Sequence, residues 1–291
     1  MWYLVLVSII WAFSFGLIKS YLVELDPLFV GSARMVVALL VFLPFLRIRG
    51  LQGGLMAKLL LIGGIQYGLM YGAYIYTFQF LEAHKIALFT ITTPVLVSVV
   101  DDIFEGKFRF RYLVFALVSV AGAGIIYFNA PDLQGAMIGI LLLQASNLCF
   151  AFGQVYYRRL FRDFPGQQLK DHFAILYAGA VLTSLLLMAV GTDWNRVDLS
   201  TTQFFVILFL GFLASGIGFF LWNYGATQTN TGTLAVMNNL KIPLAVFVSL
   251  LFFESTTGEA LLRLLIGGGI IVGAVVLNEL LAARGSAEST Q

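Results

Sequence analysis

The segment NLKIPLAVFVSLLFFE (239–254) echoes a segment 149 residues earlier, TITTPVLVSVVDDIFE (90–105). Sliding the chain by that offset sets Pro94 on Pro243 and Glu105 on Glu254, and further along Gly124 on Gly273 and Asn129 on Asn278. A shift of 148 sets Gly68, Tyr71, Tyr74 and Tyr76 on Gly216, Phe219, Trp222 and Tyr224, while a shift of 137 sets FSFG (13–16) on FAFG (150–153). A register held over two helices and a loop marks an internal duplication, and the duplication decides the architecture.

What is duplicated is soluble in lipid. Apolar residues make up 60% of the chain and charged residues 11%, against about 25% charge in a soluble domain. With about 20 apolar residues needed to cross the hydrocarbon core, ten spans are predicted, near 2–20, 28–46, 58–80, 85–103, 112–128, 136–157, 172–190, 203–227, 231–252 and 260–281. The runs are long and lack the two-residue alternation of a membrane barrel. The expected fold is an all-α integral membrane protein of ten transmembrane helices. Its domains are a first five-helix repeat (1–130), a second (136–282) and a disordered cytoplasmic tail (283–291). Because five is odd, the second repeat enters the membrane upside down relative to the first, as in many secondary transporters.

Orientation follows from the basic residues. Arg47, Arg49, Lys58, Lys107, Arg109, Arg111, Arg158, Arg159, Arg162, Lys170 and Arg284 fall on the side of the N-terminus, against Lys19, Lys85, Arg196 and Arg263 on the other. Both termini are therefore expected in the cytoplasm. The first span, MWYLVLVSIIWAFSFGLI, lacks the basic start and small-residue cleavage site of a signal peptide and reads as retained. A net charge of +2 spread over short loops gives no sign of nucleic-acid binding, so the lipid bilayer is the expected macromolecular partner. The lone Cys149, inside an apolar run, reads as a small buried hydrophobe. His84 and His172 stand apart near span ends, and with no nucleophile–base pair, metal-ligand spacing or phosphate loop the chain reads as a non-enzyme without metal or cofactor.

Inverted repeats place a solute site near the midplane, beside interrupted helices. Both aligned segments carry a polar cluster followed by proline, so Pro94 and Pro243 are the expected helix breaks; a proline at 243 leaves the Asn239 carbonyl without its helical donor. Lys241 lies about ten residues into its span, roughly 15 Å deep. A charge there faces a cavity or a partner, and Asn238 is its neighbour three positions back. Arg34 is nearer the outer end, about six residues or roughly 9 Å from it, where snorkelling is easier. All fifteen Asp and Glu fall in loops or at span ends, so the buried cations lack embedded counter-anions. A carboxylate-bearing solute would supply the missing charge. Gln144, Asn147 and Gln154 recur at helical spacing on the sixth span; Tyr67, Tyr71 and Tyr74 line one face of the third, answered by Ser215, Phe219 and Trp222 on the eighth, with Trp11 and Ser14 on the first. Helix packing is the competing reading of these residues. The expected binding set is Lys241, Asn238, Asn239, Arg34, Trp222, Tyr74, Tyr71, Asn147, Gln144 and Trp11.

The ten-helix inverted repeat, the polar–Pro interruptions and the glycine-rich AGAGIIYF (121–128) and GGGIIVGA (267–274) resemble the EamA-type members of the drug/metabolite transporter superfamily over essentially the whole chain. ASGIGFFLWNYGATQTNTGTLAVMNN (214–239), LLLQASNLCFAFGQVYYRRL (141–160) and LFTITTP (88–94) are similar, more narrowly, to biotin-transporting members of its carboxylate/amino acid/amine branch. The resemblance implies uptake of a small-molecule substrate, biotin, across a bacterial inner membrane by alternating access. Alternatives are an amino-acid, amine-carboxylate or S-adenosylmethionine carrier and, outside transport, a membrane scaffold or accessory lipid-flipping subunit. Direction, energy coupling and oligomeric state stay open at this point.

Overall fold

A computed structural model describes residues 1–49, 51–81, 86, 89–126, 137–164, 168–252 and 258–288. The domain edges at 130 and 136, the repeat partners Asn129 and Glu254, His84, and the final residues 289–291 lie outside the described residues. Among those described there are helices and turns and no strand.

In chain order the helices are α1 (Trp2–Leu17), α2 (Pro27–Phe42), α3 (Gly53–Gly63), α4 (Met70–Tyr76), α5 (Thr93–Glu105), α6 (Phe110–Ile126), α7 (Met137–Asp163), α8 (Leu169–Gly191), α9 (Thr201–Phe209), α10 (Gly218–Thr227), α11 (Thr231–Phe252) and α12 (Gly258–Glu288). Two pairs are joined through wider π turns: Gly64–Leu69 links α3 to α4 and Leu210–Ile217 links α9 to α10. Six of the resulting helices are long and apolar enough to cross a membrane, and Trp2–Ser14 and Phe110–Ile126 are shorter apolar ones.

Their ends are set locally. The Asp26 carboxylate accepts from the backbone N–H of Leu28 (2.9 Å) and Phe29 (3.0 Å), with Pro27 supplying a preset first turn for α2. Ser200 and Gln203 form a reciprocal capping box on α9. Gly106, at φ 60°, ends α5 in the left-handed region where glycine is favoured. Arg109 then turns the chain back by donating its backbone N–H to Asp102.

The bundle is apolar outside and polar within. Leu182, Leu186, Val190 and Leu265 are exposed, while Gln66, Gln154, Asn223, Asn238 and Asn239 are buried. That inversion suits a hydrocarbon solvent, where amides pair with one another between helices. Gln66 and Asn223 do so reciprocally, at 2.9 and 3.1 Å. Glycines let backbones meet: a Cβ at Gly63 would stand 1.8 Å from the Leu176 carbonyl oxygen, and one at Gly179 2.1 Å from that of Leu60. The α3–α8 crossing is therefore a contact of bare main chains.

Two sequence expectations change here. Pro243 does not break its helix, since α11 runs through it without interruption. Gly268 on α12 presents no side chain at this point, and a Cβ there would lie 3.3 Å from the proline ring. The neighbour thus accommodates the ring and holds the helix, as packed membrane helices do. Pro94, by contrast, stands in the first turn of α5, after a turn at 91–92. The last helix is described as far as Glu288, six residues into the segment expected as a polar tail.

Candidate functional site

Elements from both parts of the chain line a cavity of about 90 Å³. Its position follows from a buried tryptophan. Trp11 on α1 donates its indole N–H to the Ala214 carbonyl (2.9 Å) in the π turn after α9. Its ring packs among Phe150, Phe219 and Trp222, with centroids 6.0, 5.4 and 4.9 Å away. Gly218 is small enough to let the indole in, a Cβ there falling 3.1 Å from Nε1. This aromatic cluster forms one wall.

Two cations face the space. Lys241 Nζ sits 5.8 Å from the Trp11 ring centroid, within range of a cation–π contact. Arg34 does not snorkel: it is 2% exposed, donates from Nε to the Ser215 hydroxyl (3.1 Å) and lies 5.0 Å over the Tyr71 ring. Ser215 belongs to the π turn Leu210–Ile217. The wide turn thus reaches Arg34 through its hydroxyl while the Ser215 and Gly216 carbonyls accept from Tyr177. Among the described residues no aspartate or glutamate lines the cavity. Two buried guanidinium and ammonium groups without a carboxylate leave an electrostatic deficit that an anionic ligand would fill.

The remaining wall is polar without charge. Thr90, Thr93, Ser146 and Asn147 contribute to it. Asn147 donates to the Phe89 carbonyl at 3.3 Å, and Ser146 to that of Met70 at 3.0 Å. These bonds tie α7 to the segment before α5 and to α4.

Six of the ten expected residues reach the cavity: Lys241, Arg34, Tyr71, Tyr74, Asn147 and Trp11. Four stand behind its wall. Asn238 donates to Gln154 (3.2 Å) and to the Leu234 carbonyl (2.8 Å), and Trp222 donates to the same Gln154 oxygen (3.0 Å). These three side chains form a polar layer between the cavity and the end of the bundle where α1 begins. Asn239 donates to the Ile91 carbonyl (3.0 Å) and so braces the turn before Pro94. Gln144 accepts from Thr92 (2.7 Å) and donates to Phe89 (3.0 Å) across the same joint. Thr90, Thr93, Ser146 and Phe150 were not in the expected set, although TITTP and FAFG carried three of them in plain view.

An apolar-sheathed helical bundle with a cationic, aromatic-walled cavity inside it defines an integral membrane transporter. The chain belongs to the EamA-like transporter family, which matches residues 1–128 and 137–279; it is a transporter and not an enzyme. It is 38% identical over 281 residues to a probable biotin transporter of Pseudomonas aeruginosa, covering 96% of this chain and 97% of the relative. It is also 38% identical over 249 residues to the biotin transporters of Salmonella typhimurium and Escherichia coli, covering 85% of this chain and 83% of each. A solved structure 18% identical in sequence superposes with a TM-score of 0.77 over 97% of this chain and 96% of its own, a likeness of fold.

Proposed function

We propose that the chain imports biotin across a bacterial inner membrane by alternating access, with the solute held in the central cavity between two inverted five-helix repeats, 1–130 and 136–282. The observation that carries the reading is the pairing of Lys241 and Arg34 on a cavity without an acidic residue among those described. Biotin offers a carboxylate for these cations, an apolar ring body for Trp11, Phe150 and Phe219, and a ureido group for the amide and hydroxyls of Asn147, Thr90 and Thr93. The names of the relatives agree with that chemistry.

The inverted repeat is supported by matched pieces of backbone. The π turns at Gly64–Leu69 and Leu210–Ile217 correspond under the 148-residue shift. Under the same shift Gly63 answers Gly211: the first meets the α8 backbone at Leu176, the second meets α2 at the Val37 side chain and, 3.3 Å from an added Cβ, the Arg34 carbonyl. Packing is reciprocal too, since α1 lies against α10 and α11 as α7 lies against α4 and α5. The loop charges favour both termini in the cytoplasm.

The test is uptake of labelled biotin at nanomolar concentration in cells lacking their own importer. Saturable uptake that unlabelled biotin blocks is expected, with Lys241→Ala reducing kcat/KM about tenfold or more, equivalent to about 1.4 kcal/mol. No uptake by protein confirmed in the membrane would remove biotin as the substrate. Normal uptake by Lys241→Ala would remove the assigned site.

A further inference from the structure

Beyond the layer of Trp222, Gln154 and Asn238, at the end of the bundle where α5 and α7 finish, lies a chamber of about 750 Å³. Arg109, Arg158, Arg159 and Arg162 line it with two carboxylates, Asp101 and Glu105. Loop charge bias accounts for arginines beyond a helix end. Arg158, Arg159 and Arg162 all lie in the last turns of α7; the latter two are held by Glu105, whereas Arg158, its side chain 24% exposed, points inward to the Thr231 hydroxyl at 2.6 Å.

The carboxylates are already engaged. Asp101 Oδ2 accepts from Arg109 and, at 2.5 Å, from Thr231. Asp102 takes the Arg109 Nε at 2.8 Å. Glu105 takes Arg159 at 2.6 Å and Arg162 at 3.2 Å. Arg158 comes no nearer than 3.9 Å to Asp101, beyond hydrogen-bonding distance. It spends one of its five donors on a neutral hydroxyl. A largely shielded guanidinium with an unspent fork, beside a chamber of net positive charge, is matched to a planar oxyanion.

We infer that this chamber is a second binding site, for the carboxylate of a small organic anion, centred on Arg158 and rimmed by Arg162. Its place on the substrate's route rests on the proposed transport of a carboxylate; its anion chemistry does not. A carboxylate leaving Lys241 and Arg34 would next meet Arg158 on the far side of the Gln154 layer. The chamber then serves as the release station at the cytoplasmic end.

The test uses the full chain in nanodiscs, with Cys149→Ala and Gln228→Cys carrying a ¹⁹F label that reports on the chamber alone. Valerate is titrated against its neutral amide, valeramide. The expected result is a saturable shift with valerate and none with valeramide, weakened about tenfold in Arg158→Gln, in part in Arg158→Lys, and kept in Lys241→Ala. Should Arg158→Gln not fold, Arg158→Lys and Arg162→Gln carry the comparison. An equal response to the amide, a valerate response indifferent to both arginines, or its loss in Lys241→Ala alone would overturn the inference. Failed biotin uptake by the unaltered protein would instead sink the substrate and leave this titration intact.

Discussion

At Lys241 the side chain reaches the Trp11 ring and meets no carboxylate among the described residues. Holding a cation in a hydrocarbon-enclosed bundle is unfavourable by roughly 2.5–3.5 kcal/mol on insertion scales, and the Trp11 ring, at the edge of cation–π range, offsets only part of that cost. In the proposed function the charge itself is what binds the solute. Lys241→Met keeps most of the side chain's length and removes the charge, so it is expected to lower kcat/KM for biotin about tenfold and to erase the preference for biotin over its amide. Lys241→Arg is expected to keep that preference. Uptake competition by the acid and the amide reads both, and an undiminished preference in Lys241→Met would assign the anion to Arg34. Asn238→Ala should lower uptake while leaving the acid-over-amide preference, because Asn238 holds Gln154 and does not face the cavity. The distinction between Lys241 and Asn238 shows what was legible. A charge in an apolar run identifies itself, and Trp11, Arg34 and Asn147 were likewise found as polar or aromatic marks on apolar helices. Helical spacing, however, tells which residues share a face and not which neighbour that face meets. Asn238 precedes Lys241 by three residues, yet its amide turns to Gln154.

Helix crossings carry a different kind of information. Gly63 and Gly179 sit where α3 and α8 bring main chain against main chain, each leaving no room for a methyl group beside a carbonyl. Backbone cannot rotate aside as a side chain does, so Gly63→Ala and Gly179→Ala force the helices apart. Overpacking of this kind costs about 1–3 kcal/mol, which corresponds to a fall in Tm of roughly 2–5 °C for a protein of this size. Gly124, with nothing within 4 Å of its added Cβ, is the control, and Gly124→Ala should leave the melting curve of detergent-purified protein in place. Equal melting of all three variants would mean that α3 and α8 are not in contact. Sequence gave the runs from which these helices are built, because length and apolarity are local properties. It could not distinguish a glycine at a crossing from one facing open space, since IGGI (62–65), YAGA (177–180) and AGAG (121–124) carry no mark of what each faces. Pro243 misled for the same reason: the proline is visible, but the glycine at position 268 that makes room for it lies 25 residues away on another helix.

At the scale of the whole molecule, the cavity is closed toward the α5–α7 end by contacts that join the first part of the chain to the second. Glu105 at the end of α5 accepts from Arg159 and Arg162 on α7. Burial pushes its carboxyl up, but the Arg162 hydrogen bond and the charges of Arg159 and Arg162 prevail and hold it below its ordinary value of 4.5. A depressed carboxyl stabilises the closed arrangement fully above that ordinary value, and the contribution fades as pH falls through the lowered one. The stability gap between the unaltered protein and Glu105→Gln should accordingly be widest near neutral pH and shrink below about pH 4.5; melting curves from pH 7 to 3 measure it, and a gap constant with pH would show that Glu105 does not titrate within this pair. In the proposed two-repeat carrier the same contact has a conformational meaning. Opening toward the cytoplasm must separate α5 from α7, so loss of the pair favours the open state by whatever the pair contributed to the closed one. A cysteine placed at Ser146, on the cavity wall, should then react with an impermeant maleimide from the cytoplasmic face several-fold faster when combined with Glu105→Gln, and an unchanged rate would mean that the closure of this end is carried by Asp101 and Thr231 instead.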